Sequence, residues 1–424
     1  MEFLNKIDVI KQRAAYKTAF ILYALFFATE FSTYNSFTIL KLLMIGWGCG
    51  LIVLDVYTNK NKILKKFNLM LNLFILMNII SLILFPSKAY NFRIFLITII
   101  QIGVLNNSEI TQTPRNVLKE INKVNFIFII GSFVISAISL CMFVFKFNIF
   151  SIAYNEITRP DLLKGLFLIS NIAGLVSLIS IMVTVISIVS GIRGFRAFYW
   201  VNILVQGLVL YLTKARASWI GLIIFIIVYG FISIKNKTLR RSILIIILIG
   251  IVSLPVYGPK IINNLDNFAN KTDYYQYYGF LSGRQMIWTQ GYESIVTKNT
   301  FLGVGYKDVV DIIKNSTTQF LPGIDGGRMH NIYFEILCSH GILALIFMVM
   351  FFIANGVAIY KDIFKEDIPI ENRRILKVIF AMFMSLYALG FVESVLVYVI
   401  SVVSIIYWIY VGYSEYFIRK YKKY

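Results

Sequence analysis

The sequence predicts an all-α membrane protein, a polytopic bundle of about twelve spanning helices. Two observations predict it. Hydrophobic residues make up 58% of the chain and charged residues 15%, against about 45–50% and about 25% in soluble domains. The apolar excess falls into blocks of roughly 20 residues, the length that crosses a bilayer, and basic clusters fill every second connection between the blocks. The chain is read as one transmembrane domain, 1–424, with a long loop at 258–330 inside it.

The spans fall at 17–34, 37–56, 67–85, 92–105, 125–147, 166–190, 195–213, 218–234, 242–257, 331–353, 378–391 and 395–413. One set of connections carries Lys11, Arg13 and Lys17, then Lys60 to Lys66, Arg115 to Lys123, Arg193 and Arg196, Lys235 to Arg241, Lys361 to Arg374, and the tail from Arg419. The alternate connections are nearly bare. By the positive-inside rule both termini are cytoplasmic, and the turn at Arg216 and the 258–330 loop, between spans nine and ten, face outward. The net charge of +20 therefore reflects membrane topology, and no basic aromatic groove points to nucleic acid. Cys49, Cys141 and Cys338 lie in apolar segments without metal or disulfide spacing and read as packing residues.

Loops much longer than about 15 residues are usually functional or disordered. This one carries ordering signals. Ser-Gly-Arg-Gln at 282–285 reads as a capping box, opening a helix to about residue 298. A turn follows at 303–305, a short helix at 307–315, and a glycine-rich hinge at 321–327 just before His330.

Arg216 ends the seventh span. Its bland reading is an interfacial arginine snorkelling to headgroups; its functional reading is a guanidinium fork placed for a phosphate. Arg284 opens the loop helix with Trp288 one turn on, either a cation–π pair or a second fork. His330, beside Asn331 at the outer start of span ten, either anchors the helix or abstracts a proton near neutral pH. His340, about 15 Å deeper along a helix, reads as packing. Arg328, Glu335, Glu393, Arg159 and Asp161 are secondary candidates, because ionisable groups near a membrane interior are functional by default. No cluster has metal spacing, and no Walker or Rossmann fingerprint points to a nucleotide cofactor.

Three segments carry a family resemblance. They are Ala-Arg-Ala-Ser-Trp-Ile-Gly at 215–221, Ser-Gly-Arg-Gln-Met-Ile-Trp at 282–288 with Phe-Leu-Gly-Val-Gly at 301–305, and Met-His-Asn-Ile-Tyr-Phe-Glu at 329–335 with His-Gly-Ile at 340–342. Asn-Ile-Ala-Gly at 171–174 is a weaker fourth. Together they resemble the bacterial O-antigen polymerase and O-antigen ligase superfamily (Wzy/WaaL-like), mainly across residues 160–350. Ala215 stands where serine is common, and Lys-Asn-Thr at 298–300 replaces a frequent histidine-proline.

The resemblance implies a metal-independent, inverting glycosyltransferase of the GT-C type, needing no cofactor. Its donor would be an undecaprenyl-pyrophosphate-linked oligosaccharide, met at the outer face of a bacterial cytoplasmic membrane together with a glycan acceptor. Arg216 and Arg284 would hold the pyrophosphate and His330 would orient or deprotonate the acceptor. Membrane lipids, a chain-length regulator and a flippase are the implied partners. The first reading is repeat-unit polymerisation into capsule, exopolysaccharide or O-antigen. Alternatives are ligation of finished glycan to lipid A core or another envelope acceptor and, from another class, a lipid-linked glycan flippase. A flippase predicts charges deep in the spans or paired discontinuous helices, whereas the marked residues cluster outside.

Overall fold

The computed structural model describes residues 9–34, 36–58, 69–85, 87–106, 112–149, 151–156, 160–191, 194–236, 238–243, 245, 281, 283–321, 323–324 and 328–421. Among these the regular structure is helical, with isolated bridges in place of strands. The helices are α1 Val9–Phe27, α2 Ser36–Thr58, α3 Leu69–Leu84, α4 Lys88–Ile100 (continued by a π turn, Gln101–Leu105), α5 Pro114–Phe145, α6 Ser170–Val189, α7 Arg196–Thr213 and α8 Arg216–Ser233. Then come α9 Arg284–Gly291, α10 Asp308–Ser316, α11 Ile332–Ile363, α12 Ile370–Leu389 and α13 Val402–Lys420. Six helices among the described residues are long and apolar enough to cross a membrane. The protein is a multi-pass membrane protein.

The α13 helix is the axis of the bundle. Tyr407, Trp408, Tyr410, Tyr413 and Tyr416 are all buried on it, as expected of a helix hydrophobic all round. Around it, α5, α6 and α7 are tied by buried polar side chains. Ser132 and Ser180 hydroxyls lie 2.8 Å apart, Asn202 donates to Thr184 at 2.8 Å, and Ser136 donates to Gln206 at 3.0 Å. In a membrane, where apolar side chains gain little by leaving lipid, such bonds contribute about 0.6 kcal/mol each.

Contacts between connections separate the bundle into two ends. At one end Thr29 bridges Phe167, Ser87 reaches Asp308, Leu163 bonds Leu212, and Ile332 bonds Gly390. At the other, Lys17 reaches Glu120, Tyr416 reaches Gln112, and Asn372 reaches Tyr421. Among the described residues, Arg115, Arg373, Arg374, Arg419 and Lys420 flank these second-end contacts, while Arg284, His330 and Glu393 belong to the first.

Several expected boundaries shift. The first span begins eight residues earlier, taking Arg13 and Lys17 into α1 as buried groups. Ion pairs make that tolerable, Arg13 with Asp55 at 2.6 Å and Lys17 with Glu120 at 2.9 Å. The fifth begins at Pro114, where Thr113 caps the Asn116 N–H. The eleventh begins at Ile370. The ninth span, 242–257, and most of the first half of the long loop lie outside the described residues. The loop helix starts on Gly283, in the left-handed region at φ 78° with no side-chain cap, so Gly283 occupies the expected N-cap position of Ser282, itself outside the described residues. It runs on through a π turn, Tyr292–Val296, to Asn299, and the second short helix is α10.

The last span is the largest correction. Residues 395–401 are non-helical, and α13 starts only at Val402, capped by Ser401 and Ser404. Irregular backbone at membrane depth must be satisfied by protein. Here Gln101 of the π turn donates to Val399 O at 2.6 Å, Trp408 to Leu396 O at 3.0 Å, and Ser401 to Val395 O at 3.1 Å.

The tenth span runs ten residues further than expected and is broken at Gly341, φ 81° and ψ 179°. A break frees backbone groups inside the bundle. The 300–305 turn takes them up: Val304 and Gly305 N–H donate to Cys338 and Ser339 carbonyls at 3.0 and 2.9 Å, and Ile342 N–H donates to Thr300 O at 2.8 Å. A Cβ on Gly341 would meet Phe301 O at 2.0 Å, and one on Gly303 would meet the Ser339 carbonyl carbon at 2.5 Å. The glycines of both motifs therefore form one joint that pins the loop to α11.

Candidate functional site

Three segments converge at the loop end: the start of α9, the residues just before α11, and the non-helical link between α12 and α13. Arg284, the first residue of α9, donates through one guanidinium nitrogen to Val392 O and through the other to Glu393 Oε1 at 2.8 Å. His330 Nδ1 lies 3.6 Å from the other oxygen, Glu393 Oε2. One carboxylate thus stands between the arginine and the histidine. Burial pushes the Glu393 carboxyl upward, but the facing His330 and Arg284 overcome it and hold it below the usual carboxylate range.

His330 is held by its neighbours. Its backbone is left-handed at φ 50°, a conformation a non-glycine residue adopts at a cost of order 1–3 kcal/mol. The Asn331 side chain accepts from Phe334 N–H at 3.0 Å, capping α11, and the Asn331 N–H donates to Ser394 Oγ at 3.0 Å. Trp288 Nε1 donates to Met329 O at 2.8 Å. Of the two readings of Arg284 and Trp288, the cation–π pair gives way to these separate contacts, because the guanidinium turns to the 392–393 link. His330 Nε2 lies 3.4 Å from Gly323 O of the glycine-rich stretch.

Arg328 donates to Ser394 O at 2.9 Å and faces the buried Glu335 carboxylate, which Ser394 and Tyr306 also approach. A cleft of about 290 Å³ opens beside this cluster, with Arg328, His330, Glu393 and Ser394 on one wall and α1 and α6 opposite, Asn171 among them. Arg284 meets Glu393 without lining the cleft.

Arg216 begins α8, half-buried, and is not among the cleft-lining residues. The preceding Ala215 packs so tightly on Gly174 that a Cβ there would lie 2.5 Å away. Gly174 is one turn along α6 from Asn171, so the 171–174 and 215–221 segments meet next to the cleft. Asp161 pairs with the exposed Lys214 at 2.5 Å, and Arg159 lies outside the described residues. His340 is enclosed, its Nδ1 2.7 Å from Ser339 Oγ and 3.0 Å from Tyr398 OH, with its ring stacked on Tyr398. Among the described residues, no three His, Cys, Asp or Glu are grouped to hold a metal ion.

Sequence reasoning ranked Glu393 second and passed over Ser394. The available signal was an acidic residue followed by serine in a very short link between two apolar blocks. Nothing in the spacing shows that the link lies against residues 284 and 330.

Residues 201–349 match the family model Wzy_C, described as O-antigen ligase. That segment contains Arg216, Arg284 and His330, while Glu393 lies beyond it. No curated protein matches the chain. By this match residues 201–349 are similar to the O-antigen ligase family, within the superfamily that the sequence motifs resemble.

Proposed function

We propose that the protein polymerises polysaccharide repeat units, transferring glycan from undecaprenyl pyrophosphate to the next lipid-linked unit at the extracytoplasmic face of the cytoplasmic membrane. The observation that carries this reading is the sharing of Glu393 by Arg284 and His330 at the edge of a cleft. It sets an anion-binding group and a proton acceptor side by side, as glycosyl transfer from a pyrophosphate requires.

In the reaction, the acceptor hydroxyl oxygen attacks the anomeric carbon while the bond from that carbon to the pyrophosphate oxygen breaks. His330 takes the hydroxyl proton, and Glu393 stabilises the resulting imidazolium. Negative charge grows on the leaving pyrophosphate, where Arg284 and Arg216 offer planar forks. The donor arrives preassembled, so the step calls for no nucleotide. A single displacement inverts the anomeric centre.

Ligation of a finished glycan to an envelope acceptor is the second reading, favoured by the description of the matching family. Purified protein supplied with lipid-linked repeat units decides. Products growing by whole repeat units on the lipid support polymerisation; transfer only to a separately added acceptor supports ligation; movement of intact donor across vesicles without transfer supports a flippase.

A further inference from the structure

The arginines of the loop end are spent differently. Arg284 gives one guanidinium nitrogen to Val392 O and the other to Glu393, and it stays off the cleft wall. Arg216 is off that wall too. Among the described residues, Arg328 is the one lysine or arginine that lines the cleft. Its Nη1 donates to Ser394 O at 2.9 Å, and among the described residues it makes no other hydrogen bond and no ion pair. A guanidinium carries five N–H donors in a fixed fork, and one carbonyl oxygen uses only part of it. Arg328 is half-buried, so the bond to Ser394 holds the fork in place while other donors are left for the cleft.

Two neighbours make the position suited to an anion. Glu335 is buried, faces Arg328 without pairing with it, and does not line the cleft; Ser394 and Tyr306 approach its carboxylate. It eases the cost of keeping a cation at this depth without taking up the fork. Glu393, the carboxylate that does line the cleft, is already paired with Arg284. The opposite wall, from α1 and α6, is apolar apart from Asn171, and low local polarity strengthens a charge-assisted contact. We propose that Arg328 is the anion-binding residue inside the cleft, taking an oxyanion of the substrate through its planar fork beside His330. The oxyanion is the phosphate of the donor or the carboxylate of an acidic sugar; both present the paired oxygens that a guanidinium matches. That the ligand is a substrate rests on the transferase reading above, whereas the binding of an anion does not.

The probes are inorganic pyrophosphate and galacturonate, added separately to the purified full-length protein in phosphatidylcholine nanodiscs. Phenylglyoxal modification of Arg328, followed by peptide mass spectrometry on the wild-type protein, should slow under at least one saturating probe, and the probe that protects more tightly names the source. Protection by neither, or an Arg328 that never reacts, overturns the proposal. Arg328→Gln should bind that probe about tenfold or more weaker, the loss of one charge-assisted hydrogen bond, and Arg328→Lys should recover only part of the loss. Unchanged binding in folded Arg328→Gln overturns it as well. In transfer assays Arg328→Gln should raise the KM for the lipid-linked donor by a similar factor if pyrophosphate is the ligand, or the KM for uronate-bearing but not neutral glycans if the carboxylate is. A wild-type protein whose Arg328 is protected but which transfers nothing defeats the transferase reading and leaves the anion site standing.

Discussion

At the basic end of the bundle, Lys17 bonds Glu120 at 2.9 Å with side chains 2% and 14% exposed. At the loop end, Arg284 bonds Glu393 at 2.8 Å with side chains 14% and 10% exposed. Charge, burial and distance are nearly alike. The surroundings differ. The Tyr413 hydroxyl also donates to Glu120, and its ring lies under Lys17, filling the space around the pair. Glu393 instead turns its second oxygen to a histidine held in a strained backbone conformation, beside a cleft. A paired buried charge is thus no mark of function by itself; an adjoining space and a strained, accessible neighbour are what separate the two clusters.

Substitutions can sharpen that contrast, and the first concerns the joint that holds the loop-end cluster in place. Gly341→Leu forces a side chain into Phe301 O at a left-handed backbone position, and should abolish accumulation of folded protein. Fluorescence-detected size exclusion reads this; a monodisperse variant at wild-type yield would show that the loop is not pinned there. Next, Lys17→Met strands the Glu120 carboxylate, and breaking such a buried pair typically costs about 3–5 kcal/mol. Thermal unfolding in detergent should fall accordingly while donor affinity stays within twofold. A change in affinity with unaltered stability would erase the distinction between the two ends.

At the loop end the signs reverse. Arg284→Lys keeps charge but loses the planar fork. Losing one charge-assisted hydrogen bond, about 1.5–3 kcal/mol, should slow transfer about tenfold or more with thermal stability little changed. Near-normal product from matched protein would speak against pyrophosphate recognition. The smallest effect belongs to the second histidine. His340→Gln keeps an acceptor for Ser339 and Tyr398, so activity should stay within about threefold of wild type; a hundredfold fall would make the enclosed histidine part of the chemistry.

Much of this contrast was legible in the sequence. Hydropathy blocks and alternating basic connections gave the helical bundle, and the loop helix appears close to its expected limits. Arg284 and His330, far apart in sequence, do come together. Two things were hidden for physical reasons. Residues 395–401, just after Glu393, read as the start of the twelfth span because 395–400 are apolar; what keeps them non-helical is hydrogen bonding from distant side chains such as Gln101 and Trp408. The break at Gly341 was equally silent, since a lone glycine in an apolar helix is common and the backbone that fills this one comes from residues 300–305. Motif likeness marked both stretches without showing that one supports the other.

The central claim is that His330, backed by Glu393, takes the acceptor proton. Donor affinity and product formation measured side by side on His330→Gln test it most directly. Glutamine keeps size and polarity but cannot serve as the base, so donor should bind with wild-type affinity while turnover falls by roughly a hundredfold or more. Normal product from His330→Gln would contradict the account and leave Glu393 as the stronger candidate for the base.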